Sequence, residues 1–170
     1  MEPIFVNTFT ASVENIAEIN LKIWDPKRKY MGWSFLAASA FIADFVLHGG
    51  KWIWIYPAVA CAVYGIYNLF YHWIWAYDLI RKTKKSHNGQ VPSATVTVTD
   101  KFVWEYLSTT MTFPFSNLKT AYFLKHSIRL IGNDNSFLTF QRNGFAKGSP
   151  EELEKFLQIN CPQTQIIHIE

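Results

Sequence analysis

Apolar positions crowd into two stretches near the start of the chain, Tyr30–Leu47 and Trp52–Tyr77, parted only by His48-Gly49-Gly50-Lys51. At about 1.5 Å per residue these runs of 18 and 26 residues correspond to helices of ~27 Å and ~39 Å. Crossing a bilayer core takes about 20 apolar residues. The pattern therefore predicts a two-helix transmembrane hairpin over residues 30–80, turning at the Gly-Gly link. A buried helical hairpin in a soluble protein is the alternative, disfavoured by helices that are apolar all round with aromatic ends and basic flanks. Pro57 suits the first turn of a helix, so the regular second helix is expected to begin there, with Lys51–Tyr56 lying at the interface.

The flanks orient the hairpin. Lys27, Arg28 and Lys29 precede it and Arg81, Lys82, Lys84 and Lys85 follow it, whereas the turn holds only Lys51. Cationic flanks stay in the cytoplasm, so both termini are expected there, in a multi-pass membrane protein. Trp52, Trp54 and Tyr56 mark the outer interface and Tyr71, Trp73, Trp75 and Tyr77 the inner one. Ala58, Ala62 and Gly65 share one face of the second span, and Ser39 and Ala43 one face of the first. These small residues serve either close helix packing or a homo-oligomer.

Outside the hairpin the period changes. Ile4–Thr10 reads as a strand, and Ser12 caps a helix running to about Ile23. Ala94, Val96 and Val98 alternate with Thr95, Thr97 and Thr99, followed by extended segments at Phe102–Leu107, Thr110–Phe113, Lys119–His126, Ile128–Ile131 and Phe137–Phe140. Ser149-Pro150-Glu151-Glu152 opens a helix to about Ile159 with Leu153, Phe156 and Leu157 on its buried side. The expected organisation is α+β: an N-terminal strand and helix (1–29) packing on the C-terminal domain, the hairpin (30–80), and a small antiparallel β domain (81–170). That domain, strands closed by a C-terminal amphipathic helix, has the outline of a pleckstrin-homology (PH)-like module.

Charge and cysteines narrow the function classes. Residues 31–87 carry five basic and two acidic side chains, while the segments on either side balance. The positive excess thus belongs to the membrane segment, which argues against nucleic-acid binding. The first 30 residues hold Glu2, Glu14, Glu18 and Asp25 and no apolar run of signal-peptide type. Cys61 lies in the second span and Cys161 outside it, so no disulfide framework is expected. The five histidines lack metal-ligand spacing and no phosphate-binding glycine loop is present. Neither a cofactor nor an enzymatic activity is expected.

Two local patterns carry a resemblance. Phe113-Pro114-Phe115-Ser116-Asn117-Leu118 is similar to a proline–aromatic–serine–x–aliphatic turn between strands. Phe145 followed by Ser149, Glu151, Glu152, Leu153, Phe156 and Leu157 is similar to a closing aromatic and an acidic-start helix. With the hairpin, these resemble the YcxB-like bacterial membrane proteins over about residues 4–160. That family commonly has a Pro-Lys pair ahead of the closing aromatic, where this chain has Gln141-Arg142. The resemblance implies a PH-like fold and membrane attachment, and no particular chemistry.

Candidate functional residues follow from placement. Phe102, Trp104 and Tyr106 alternate onto one strand face, which either fills the core or is left open to a protein partner. Trp104, Tyr106 and Arg142 are the candidate partner-binding residues. Lys101, Lys119, Lys125, Arg129, Arg142 and Lys147 are basic positions within reach of anionic headgroups, balanced by acids. Asp44 is the intramembrane polar residue, three positions from the end of its span, with His48 able to face it. The favoured function is a non-enzymatic inner-membrane protein presenting its cytoplasmic domain to an unidentified protein. An immunity protein neutralising a bacterial toxin and a small channel or transporter subunit assembled around Asp44 are the alternatives.

Overall fold

Alternating Ala94, Val96 and Val98 are buried and the threonines between them half-exposed, the period-two signature of a sheet covered on one side. The computed structural model describes residues 2–169. It is α+β, and it divides into two units, residues 1–15 with 80–170, and residues 16–79.

In the first unit, β1 (Phe5–Thr10), β2 (Ser93–Val98), β3 (Phe102–Tyr106) and β4 (Thr109–Phe113) form consecutive antiparallel neighbours. The short β8 (Phe145–Lys147) joins the free side of β1, completing a five-stranded sheet ordered β4-β3-β2-β1-β8. A second sheet, β7-β6-β5-β9, comprises β5 (Leu118–Phe123), β6 (Ser127–Gly132), β7 (Phe137–Gln141) and β9 (Gln165–His168). Its β9 runs parallel to β5. The N-terminal strand β1 is thus an inner strand of its sheet, separated in sequence from its partner β2 by the whole hairpin.

Both sheets and α4 (Pro150–Asn160) contribute to one core. Phe102, Phe140, Leu118, Ile128, Leu130, Leu153 and Leu157 are fully buried in it. Phe102 meets Phe113, Phe115 and Phe140 edge-on, with centroids 5.0–6.3 Å apart. Phe156 of α4 sets its ring edge-on to both Phe5 and Phe115 at 5.4 Å. The helix starts as its sequence dictates: the Ser149 hydroxyl accepts from Glu152 N at 3.2 Å, and Pro150 occupies the first turn. Arg129, read above as a surface base, is instead buried on β6. Its guanidinium lies 3.8 Å over the Phe137 ring and Nη1 donates to Thr139 Oγ1 at 3.2 Å. Burial pushes its pKa down to about 10.

The chain enters the second unit through α1 (Val13–Ile19), which is followed by a π-turn, Asn20–Trp24, in place of the expected unbroken α-helix. Within that unit α2 (Lys27–Leu47) and α3 (Ile55–Ser86) are both long and apolar enough to cross a membrane. A 3₁₀ turn, Trp52–Trp54, precedes α3, so the helix begins two residues before Pro57 rather than at it. Only 11% and 17% of the two apolar windows is buried. Their outward-facing Phe41, Val63 and Phe70 are 56–78% exposed.

The helices meet through small residues. A Cβ at Gly65 would sit 2.9 Å from Gly32 O and 2.9 Å from Leu36 Cγ, and one at Gly32 would sit 3.0 Å from Gly65 O. Ser39 Oγ donates to Ala58 O at 2.8 Å across the same interface. Ser39, Ala58 and Gly65 therefore serve packing within the hairpin. At the other end Arg28 bonds Asp25, donates to Asn68 Oδ1 at 3.4 Å and lies 3.8 Å over the Tyr71 ring.

Candidate functional site

The residues singled out from sequence fall at separate places. Trp104 and Tyr106 share the core-side face of β3 with Phe102, since their register partners are Val96 and Ala94. Burial fades along that face, from Phe102, fully buried, to half-buried Trp104 and Tyr106. The two outer rings stack at 5.5 Å with planes 14° apart. Opposite Trp104 on β4 is Met111, 52% exposed.

Strand β4 is the outermost of its sheet, and no described strand pairs with its free edge. Its sequence, Thr-Thr-Met-Thr-Phe, carries no charge or proline, the usual guards of an open edge. The two-residue turn from β3 to β4 puts Leu107 at φ +52°, a left-handed conformation that a branched apolar residue adopts only at a cost. Leu107 is also 64% exposed. Trp104, Tyr106 and Met111 thus share one face beside an unpaired strand edge, with Leu107 exposed in the adjoining turn, and the four are called the β3–β4 ridge below. Sequence alternation located the aromatics. Leu107 and Met111 were missed, because neither the turn conformation nor the edge position is written in a local pattern.

Arg142 lies elsewhere, in the turn after β7. Asn7 and Gln141 hold that turn to β1, Gly144 O accepts from Thr8 N at 2.8 Å, and Thr10 N donates to Gln141 Oε1 at 3.3 Å. Arg142 N donates to His126 O at 3.2 Å and Nε to Leu124 O at 2.8 Å, tying it to the turn after β5. Ser12, Glu14 and Asn15 face these two turns across a cavity of about 390 Å³ that also receives Lys125 and Asn143. Ser12 Oγ accepts from Asn15 N at 3.2 Å. The Glu14 carboxyl is held below the usual carboxylate range by its own backbone N–H, then by the Ser12 hydroxyl, with His126 assisting.

Asp44, near the end of α2, lies 3.3 Å from His48 Nδ1, and both side chains are largely exposed. Among the described residues no three His, Cys, Asp or Glu side chains gather where they could hold a metal ion. Compared with known proteins, the chain matches no family model, no curated protein and no solved structure.

Proposed function

We infer that the chain is a non-enzymatic binding protein of the bacterial inner membrane, anchored by α2 and α3, whose cytoplasmic PH-like domain engages a protein partner. The uncovered apolar flanks of the two helices and their cationic ends support the membrane anchor. Pairing of β1 with β2 requires both strands on one side of the bilayer, which fits two crossings between them. A four-strand meander, a three-strand meander and then an amphipathic helix support the PH-like reading. The YcxB-like resemblance is retained in the same sense: Phe113–Leu118 links β4 to β5 through a 3₁₀ turn, and Phe145 stacks on Phe140 at 5.9 Å.

The observation that carries partner binding is the β3–β4 ridge. An open, uncharged edge strand offers its N–H and C=O groups to an added strand, and Trp104, Tyr106, Leu107 and Met111 supply side-chain anchors beside it. A photocrosslinking residue at Met111 in living cells, followed by membrane purification and mass spectrometry, tests this. One dominant protein adduct that disappears in Tyr106→Ala is expected, and a toxin as that adduct selects the immunity reading. Self-adducts alone, or an unselective spread of proteins, overturn it.

A further inference from the structure

The turn from β3 to β4 holds only Leu107 and Ser108, so Tyr106 and Thr109 face each other as its closing pair. A two-residue hairpin closes on a hydrogen-bonded pair, and such pairs recur at every second position. Thr109, Met111 and Phe113 thus direct their N–H and C=O groups to β3, while those of Thr110 and Thr112 point to the free edge. Neither threonine makes another backbone bond among the described residues. On the face away from the core, Thr110 lies opposite Glu105 and Thr112 opposite Val103. Glu105 is exposed and forms no ion pair among the described residues.

The register places this edge at one end of the sheet. Thr10, where β1 ends, pairs with Ser93, where β2 begins, and Ala94 pairs with Tyr106 beside the β3–β4 turn. The Thr109 end of β4 is therefore the end from which the chain leaves for the long helices and to which it returns. Six residues, 87–92, separate Ser93 from Ser86, the last residue of α3, a reach of at most about 25 Å. We propose, resting on the protein-binding reading above, that the partner is an integral membrane protein whose cytoplasmic segment just ahead of a span adds to β4 as an antiparallel strand. Strand β4 runs away from the tethered end, so an antiparallel addition runs toward it and leads on into a span. Antiparallel pairing continues the pattern of the sheet and is the more stable per residue. Cytoplasmic segments beside a span are rich in Lys and Arg. The added backbone lies two strand spacings, about 10 Å, from β3, so such a side chain reaching over the small Thr110 meets Glu105. The charges of edge and partner are then complementary.

The test places a photocrosslinking residue at Thr110 or at Thr112 of the full-length protein in living cells, and mass spectrometry locates the crosslinked peptides. Both adducts are expected within about 15 residues ahead of a span of one partner, with the Thr110 adduct nearer the span. Thr112→Pro deletes an N–H that faces the edge and leaves the bonds to β3 intact, so the Thr110 adduct is expected to fall at least about tenfold. Glu105→Lys is expected to lower it several-fold. A melting midpoint in detergent equal to the parent's shows that a variant is folded, and Glu105→Lys with the adduct positions decides if Thr112→Pro is not. One dominant partner whose adducts lie away from any span, or in the reverse order, overturns this inference and leaves the ridge a binding site. Adduct yield unchanged in the folded variants also overturns it. Self-adducts alone, or no dominant adduct from Thr110, Thr112 or Met111, overturn the protein-binding reading as well.

Discussion

Asn7 and Gln141 bond across the two sheets as though the asparagine side chain were strand backbone. Asn7 Nδ2 donates to Gln141 O at 2.8 Å, and Gln141 N donates to Asn7 Oδ1 at 2.9 Å. Asn7 is fully buried, so the amide joins β1 of one sheet to the end of β7 in the other, where no solvent competes. Replacing it with leucine leaves the Gln141 N–H without its partner, while the Gln141 carbonyl keeps only the bond from Gly144 N at 3.0 Å. The expected loss is about 1–3 kcal/mol, read as a lower denaturation midpoint. An Asn7→Leu protein as stable as the parent refutes the clamp.

The closest approach of α2 and α3 is set by backbone. Gly65 faces Gly32 O and Leu36 with no room for a side chain, so Gly65→Leu must push the helices apart. Overpacking of this kind costs about 1–3 kcal/mol. Thermal aggregation in detergent is expected several degrees earlier than for the parent. Leucine at Val63, which is 63% exposed, is the matched control and leaves the midpoint unchanged.

If the β3–β4 ridge binds a partner as proposed, Leu107 sets stability against binding. Asparagine accepts the left-handed backbone more readily, so Leu107→Asn is expected to stabilise the fold by about 0.5–1 kcal/mol. The same change removes an apolar anchor from the ridge and is expected to reduce crosslinking from Met111. Stabilisation with undiminished crosslinking removes Leu107 from the binding surface.

Asp134 makes stability sensitive to acid. Its carboxylate accepts from the Ser136 hydroxyl and backbone N–H and from Asn117 Nδ2, which hold its pKa below the ordinary 3.8. A carboxyl depressed by folding contributes stability above its unfolded pKa, and that contribution is lost as pH falls through the lower folded value. Melting curves of wild type and Asp134→Asn are expected to differ at pH 7 and to converge as pH falls below the depressed folded-state value. A pH-independent gap between them contradicts the assignment.

Cys161 is 1% exposed and burial pushes its thiol up in pKa. A water-soluble thiol reagent is therefore expected to leave it unlabelled in the folded protein and to label it fully in denaturant. Mass spectrometry of the peptide containing Cys161 separates it from Cys61. Rapid labelling without denaturant shows that α4 opens.

The strands from β2 to β7 and the start of α4 were legible because each signal is local. Alternation marks Ala94, Val96 and Val98, and the Ser-Pro-Glu-Glu run marks a capped helix. The features that escaped depend on partners distant in sequence. Strand β8 is three residues long and β9 four, too short to show a period, and each gains its identity from the strand beside it. Gly65 was visible as a small residue, but Gly32 gains meaning only from facing it. Arg129 looked like any surface base because nothing near it in sequence announces Phe137 and Thr139 as cover. The cavity escaped for the same reason, since Asn15 arrives from α1 and Lys125 and Arg142 from two separate turns.

The interval between β1 and β2 also governs how the protein is made. The ribosome releases β1 long before its partner exists, and the strand waits through synthesis of both long helices before β2 emerges. If just one helix enters the bilayer, the two strands end on opposite faces and the five-stranded sheet cannot be assembled. Under the proposed membrane anchor, completion of the sheet would thus report an even number of crossings. A chain that fails the step keeps β1 unpaired and its apolar side chains open to proteolysis.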